Sequence, residues 1–133
     1  MLGDIAGKTF LYTKALRMIR ANGRIVVAVA ISGIAALLLE GGRTAHSRFQ
    51  LPVPLLLDNA LCNIKAQSGL AQLYRQTALV VWDEAPNAPK AAFDAVDRLF
   101  RDILKDVPGR SAEKPFGGMP MLLGGDSVKY RLC

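Results

Sequence analysis

Leu79-Val80-Val81-Trp82-Asp83-Glu84-Ala85-Pro86 is the stretch whose reading decides the fold. An unbroken apolar run suits a strand covered on both faces, as in a parallel sheet, and this one stops at two carboxylates with a proline close behind. A buried strand that delivers an acidic pair to its end is the arrangement in which one carboxylate orders Mg²⁺ through its water shell and the next activates the attacking water. The bland alternative is a helix cap followed by solvated charges, so the rest of the chain has to decide. Trp82 itself, at the end of such a strand, is expected to be buried rather than offered to a base.

Upstream, Ile25 to Ala30 is a second continuous, Val-rich apolar run, and helical spacing resumes from Gly33 to Leu39 before Gly41-Gly42 closes that element. Thr9 to Ala21 places Phe10, Leu11, Ala15, Leu16 and Ile19 at helical spacing, and Asn22-Gly23 ends it. Gly7-Lys8-Thr9, at the start of that helix, is the tail of a P-loop. Backbone N–H groups there cradle phosphates, Lys8 reaches the β and γ phosphates, and the Thr9 hydroxyl holds Mg²⁺. The full pattern wants glycine where Leu2 stands, so the loop is degenerate, and a Gly-Lys-Thr triplet alone recurs by chance. Loop and acidic pair together, with βαβ spacing between them, point to a P-loop NTPase far more strongly than either does alone.

Downstream of Gly42, residues 43 to 66 hold Pro52 and Pro54 and read as an irregular excursion, followed by a short helix over Ser68 to Gln76. Lys90 to Val107 reads as the best helix, with Phe93, Val96, Leu99, Phe100, Ile103 and Leu104 on one stripe. Asp94–Arg98 and Asp97–Arg101 are i,i+4 pairs on what should be its solvated face. Pro108 to Gly118 is a polar loop, and Met119 to Leu123 is a third apolar run leading into Gly124-Gly125-Asp126. The alternation predicts an α/β fold, a parallel-sheet P-loop domain in three layers.

At 133 residues the chain fits one domain, and its 51% hydrophobic content suits a folded core. The net charge of +6 favours polyanions such as nucleic acid or nucleotide phosphates. The longest apolar stretch, Ile25 to Leu39, is broken by Ser32-Gly33 and falls short of the roughly 20 residues a bilayer span requires, so no membrane partner is expected. Asp4 near the start does not fit a secretory signal, which leaves an intracellular location. Cys62 and Cys133 are isolated thiols and His46 is the only histidine, so a zinc site lacks ligands.

Five blocks in order carry a resemblance to a known family: Ser32-Gly33-Ile34-Ala35-Ala36-Leu37-Leu38, Gly42-Arg43-Thr44-Ala45-His46-Ser47-Arg48-Phe49, Trp82-Asp83-Glu84-Ala85-Pro86, Phe116-Gly117-Gly118 and Gly124-Gly125-Asp126. Together they resemble the Pif-type helicases of the RecD-like superfamily, including the helicase domain of Helitron transposons. The resemblance implies a RecA-like core over residues 1–126, part of the first of two motor lobes, with a divergent tail over 127–133. It implies ATP and Mg²⁺ as cofactors, single-stranded DNA as partner, and ATP-dependent 5′-to-3′ unwinding in DNA repair, recombination or telomere maintenance, in the nucleus or, second, the mitochondrion.

By that resemblance Lys8 and Glu84 are catalytic, Gly7, Lys8, Thr9 and Asp126 meet the nucleotide, and Thr9 and Asp83 meet the metal. Ser32, Gly33, Arg43, Thr44, His46, Ser47, Arg48 and Phe49 match the segment that touches the strand, with hydroxyls and charge for phosphate and Phe49 as a stacking face. For His46 a structural role in its loop is an equal alternative, and for Phe49 a place in the core is the alternative to a stacking face. The family continues after Asp126 with an aromatic residue, arginine and glutamine, whereas Ser127-Val128-Lys129 stand here. With a second lobe and its arginine finger expected to be missing, the chain alone should hydrolyse ATP slowly or not at all. Two rivals are a non-catalytic nucleic-acid-binding remnant of a transposon-type helicase and, more remotely, a small-molecule kinase.

Overall fold

The computed structural model describes residues 14, 16–39, 41–52, 61–83, 88–124 and 130–132. Strand β1 (Ile25–Ala30) lies between a two-residue strand, β2 (Arg43–Thr44), on one side and β3 (Thr77–Asp83) on the other, all parallel. Strand β4 (Met121–Gly124) joins β3 in parallel, and β5 (Tyr130–Leu132) closes the row antiparallel, giving the order β2-β1-β3-β4-β5. Three of the four parallel strands, β1, β3 and β4, fall on the apolar runs of the sequence, and β2 does not.

Alternate side chains of a strand face opposite sides of its sheet, and here both sides are apolar. Val27, Val29, Val80 and Trp82 enter one cluster, while Val26, Ala28, Ala30, Leu79 and Val81 enter the other. That is why these strands read as continuous hydrophobic runs. On the second side lie α1, helical over residues 16–21, with Leu16 and Ile19, and α2 (Gly33–Leu38), with Ala35 and Ala36. On the first side lie α3 (Ala45–Phe49), α4 (Gly69–Arg75) and α5 (Lys90–Ile103). The result is the three-layer α/β/α sandwich.

The helix ends follow from local chemistry. Gly23, at φ 76, closes α1 by donating to the Arg20 carbonyl at 2.9 Å. Ser32 and Ser68 cap α2 and α4 by accepting the N–H of Ala35 and Ala71. Helix α5 ends at Ile103 and not at Val107, because Leu104 leaves the helix at ψ −5 and Pro108 disfavours helical backbone at the residue before it.

Two expectations need correction. The segment over 43 to 66 is not wholly irregular: β2 and α3 lie inside it, each too short to show a period. The outer face of α5 is not simply solvated. Asp97 accepts from Arg101 Nε at 2.9 Å and from the Phe116 N–H at 2.6 Å, tying down the turn Pro115–Gly118. Within that turn Gly117, at φ 65, lies so close to α5 that a Cβ would land on the Phe100 carbonyl oxygen. This clasp sets where β4 begins.

Candidate nucleotide and nucleic-acid site

Because β1, β2 and β3 are parallel, their carboxyl ends share one rim, and the pairing fixes which residues meet there: Ala30 is opposite Thr44 on one side and Asp83 on the other. Ligands of open α/β sheets bind outside that rim. Ser32 and Gly33 start α2 directly after β1, and Ala45 starts α3 directly after β2. The block Arg43 to Ser47, expected to touch the strand, and Asp83, the first carboxylate of the acidic pair, therefore lie on either side of β1 at one end of the sheet.

The block is positioned by close packing. Gly42 sits against the end of α2, where a Cβ would lie 2.5 Å from the Ala36 carbonyl oxygen and 2.6 Å from the Leu39 Cβ. No other residue lets β2 pass there, so Gly42 places Arg43 and Thr44. Thr44 Oγ1 accepts the Ser47 N–H at 3.2 Å as the cap of α3 and keeps its own hydrogen to donate. Arg43 and Ser47 are exposed, and His46 and Arg48 are half-buried. A side chain at Gly33 would meet nothing within 4 Å, so the backbone there is open to approach.

Phe49 is a correction. Its ring is fully buried, stacked on Trp82 at 5.5 Å and 27° and edge-on to Phe100 at 5.8 Å. A base cannot reach it, so its part is to anchor α3 beneath the rim. Trp82 is buried, as its place at the strand end predicts. Tyr74, which sequence reasoning passed over, holds the block from below by donating its hydroxyl to the Arg48 carbonyl. Burial pushes its phenol up from the ordinary value, against the opposing pull of Arg48. Nothing in the sequence links Tyr74 to Arg48, since the contact joins two helices far apart in the chain. At the far end of α3, Gln50 adopts φ 52 and returns its side-chain amide to the Ser47 carbonyl at 2.7 Å.

Asp83 is half-buried at the rim. Among the described residues no group of three or more His, Cys, Asp or Glu is gathered as metal ligands. A single carboxylate suits Mg²⁺, which keeps most of its waters and takes its remaining ligands from phosphate. Gly7, Lys8, Thr9, Glu84 and Asp126 lie outside the described residues. Among those described, no helix is long and apolar enough to cross a membrane.

The sequence model of PIF1-like helicases matches residues 4–130. The chain belongs to the PIF1-like helicase family. It is 30% identical over 130 residues to the ATP-dependent DNA helicase PIF4 of Trypanosoma brucei brucei, covering 96% of this chain and 15% of that protein. It is 26% identical over 122 residues to the ATP-dependent DNA helicase Pif1 of a Psychrobacter species, covering 91% of this chain and 18% of that one. Among solved structures, Bacteroides Pif1 bound to single-stranded DNA superposes with a TM-score of 0.71 at 27% identity, over 90% of this chain and 26% of that one. The same helicase in complex with ADP-AlF4 gives 0.68 at 28%. This PIF1-like chain thus spans about a sixth of its curated relatives and a quarter of the solved ones, and its sheet is the RecA-like sheet of that helicase.

Proposed function

We propose that the chain forms the nucleotide- and strand-binding part of an ATP-dependent DNA helicase lobe. One observation carries the reading: Ala30 is paired with both Asp83 and Thr44, so a single strand separates the carboxylate that faces nucleotide from the block that faces DNA. In this reading Gly7, Lys8 and Thr9 grip the phosphates with Asp126 nearby, Asp83 holds the ion's water shell, and Glu84 takes a proton from the attacking water. Bound Mg²⁺ would neutralise charge on the phosphates. The hydroxyls of Ser32, Thr44 and Ser47, with Arg43, His46 and Arg48, hold the strand by its backbone, which makes binding indifferent to sequence. In this reading the unwinding serves repair, recombination or telomere maintenance in the nucleus, a role that only the resemblance suggests.

Unwinding in this family belongs to proteins several times longer, in which two lobes close on ATP. Removing an arginine finger alone costs about 10³ to 10⁵ in rate, so residues 1–133 assayed by themselves, without a second lobe added, should bind nucleotide but hydrolyse it slowly. The test is binding of a labelled oligothymidine, followed by anisotropy, in the chain and its Arg43→Ala and Ser47→Ala forms. The reading expects single strand to bind ahead of duplex, with both substitutions weakening it. Binding that ignores both would overturn it.

A further inference from the structure

Trp82 is the chain's only tryptophan, and it touches both halves of the rim. Its neighbour in the chain is Asp83, which the proposed function sets facing nucleotide. Its side chain leaves the sheet on the side of α3, α4 and α5, where the fully buried indole stacks on Phe49 at 5.5 Å and 27°. Phe49 ends α3, the helix that carries His46, Ser47 and Arg48. A helix of five residues is too short to hold its own shape, so its contacts set where it sits. Three rings surround Phe49, and they are not equivalent. Tyr74 at 5.5 Å and Phe100 at 5.8 Å belong to α4 and α5, helices without a rim residue, and pack on each other at 5.4 Å. Trp82 alone is joined directly to one. No hydrogen bond pins the indole: Phe93 backs it at 4.5 Å, while Nε1 is buried and has no hydrogen-bond partner among the described residues. A buried N–H without an acceptor is costly, which raises the energy of this ring position against any displaced one where an acceptor is met.

We infer that the Trp82–Phe49 stack is a mechanical link within this lobe: binding at Asp83 tilts the indole, the stacked phenyl ring follows, and α3 carries Ser47 and Arg48 with it. This rests on the rim being the nucleotide- and strand-binding site proposed above. Trp82 is then a positioning residue, which acts on the strand through α3 without touching it. The effect is reciprocal, because a coupling free energy between two sites acts equally in both directions. The other path between the sites, through the backbone of β1, leaves Phe49 out, and that difference separates the two experimentally.

The indole is its own probe. Emission of the intact chain, excited at the red edge where thymine does not absorb, is followed as a non-hydrolysable ATP analogue with Mg²⁺ or an oligothymidine is added, while anisotropy of a labelled oligomer reports strand binding separately. Both ligands should shift the emission of a ring that neither can reach. The oligothymidine dissociation constant should change by about fivefold or more when the analogue is present. In Phe49→Leu, at saturating oligomer, the analogue should still shift the emission and the strand should not. The ratio of dissociation constants with and without analogue should fall there to within about twofold of one. Phe93→Leu, which removes the other ring on the indole, should keep the strand's signal and the ratio. Unchanged emission or a ratio of one in a parent that binds both ligands overturns the proposal, as does a strand signal that survives in Phe49→Leu, or an equal loss in Phe93→Leu. A parent that binds no oligothymidine removes the rim reading, and the link with it. Should Phe49→Leu melt early, Trp82→Leu read by the ratio alone takes its place, with the same fall expected.

Discussion

On the β4–α5 flank of β3, the charged groups of Asp97, Arg101 and Arg110 are tied into the fold; on the β1–β2 flank, Arg43 is presented at the rim. Across α5, Asp97 joins Arg101 to the Phe116 backbone, and Arg110 ties the Gly118 carbonyl at 2.6 Å to that of Thr77 at 3.3 Å. Across the other flank, Arg43 and Ser47 stand exposed on a turn held by Gly42 and Phe49 from behind. Both flanks contain blocks that carry the family resemblance. A distinctive block therefore marks a constraint without saying which kind: Phe116-Gly117-Gly118 is distinctive because it packs, Arg43 to Ser47 because it is presented.

The contrast is broken most severely at Phe49. Replacing it with alanine should cost about 3–5 kcal/mol, read by urea denaturation, since the ring touches Trp82, Tyr74 and Phe100 in the core. Ser47→Ala, on the exposed side of the same helix, should stay within about 0.5 kcal/mol. A stable Phe49→Ala chain that merely bound DNA less well would return that ring to the surface.

Next comes Gly117. Gly117→Ala meets both a left-handed backbone and the Phe100 carbonyl, while Gly23→Ala meets the left-handed backbone alone with nothing within 4 Å. The second should cost about 1–2 kcal/mol and the first clearly more. Equal costs would mean that the clasp does not depend on close approach.

The smallest effect concerns pH. Burial pushes the Cys62 thiol up to about 12 from 9.0, with Arg98 pulling the other way. The folded value is the higher one, so folding favours the neutral thiol. That contribution is complete below pH 9.0 and is lost as pH rises towards 12. The denaturation midpoint should fall over that window less steeply in Cys62→Ala than in the parent, and parallel curves would show that the thiol is not buried.

How much of this was legible beforehand differs with length and contact range. Ile25–Ala30, Thr77–Asp83 and most of α5 announce themselves because each is long enough to show a period or an unbroken apolar run. The pair β2 and α3 could not, since two and five residues hold no period and depend on pairing with β1 and on Phe49. In the candidate site, the residue types around Arg43 to Ser47 were readable from their chemistry. For Phe49 both a stacking face and a place in the core were open, because an aromatic after a basic block looks the same whether it faces a base or the core. Tyr74 and Asp97 act through partners 26 and 19 residues away, which no local pattern encodes.

The account stands most directly on nucleotide binding. A fluorescent ATP analogue should be titrated into the chain and its Lys8→Ala and Asp83→Ala forms, with and without Mg²⁺. The expected result is a loss of about tenfold or more in each variant, about 1.4 kcal/mol, with the Mg²⁺ dependence abolished by Asp83→Ala and retained by Lys8→Ala. Undiminished binding in both variants would contradict the proposal that Lys8 and Asp83 serve one nucleotide.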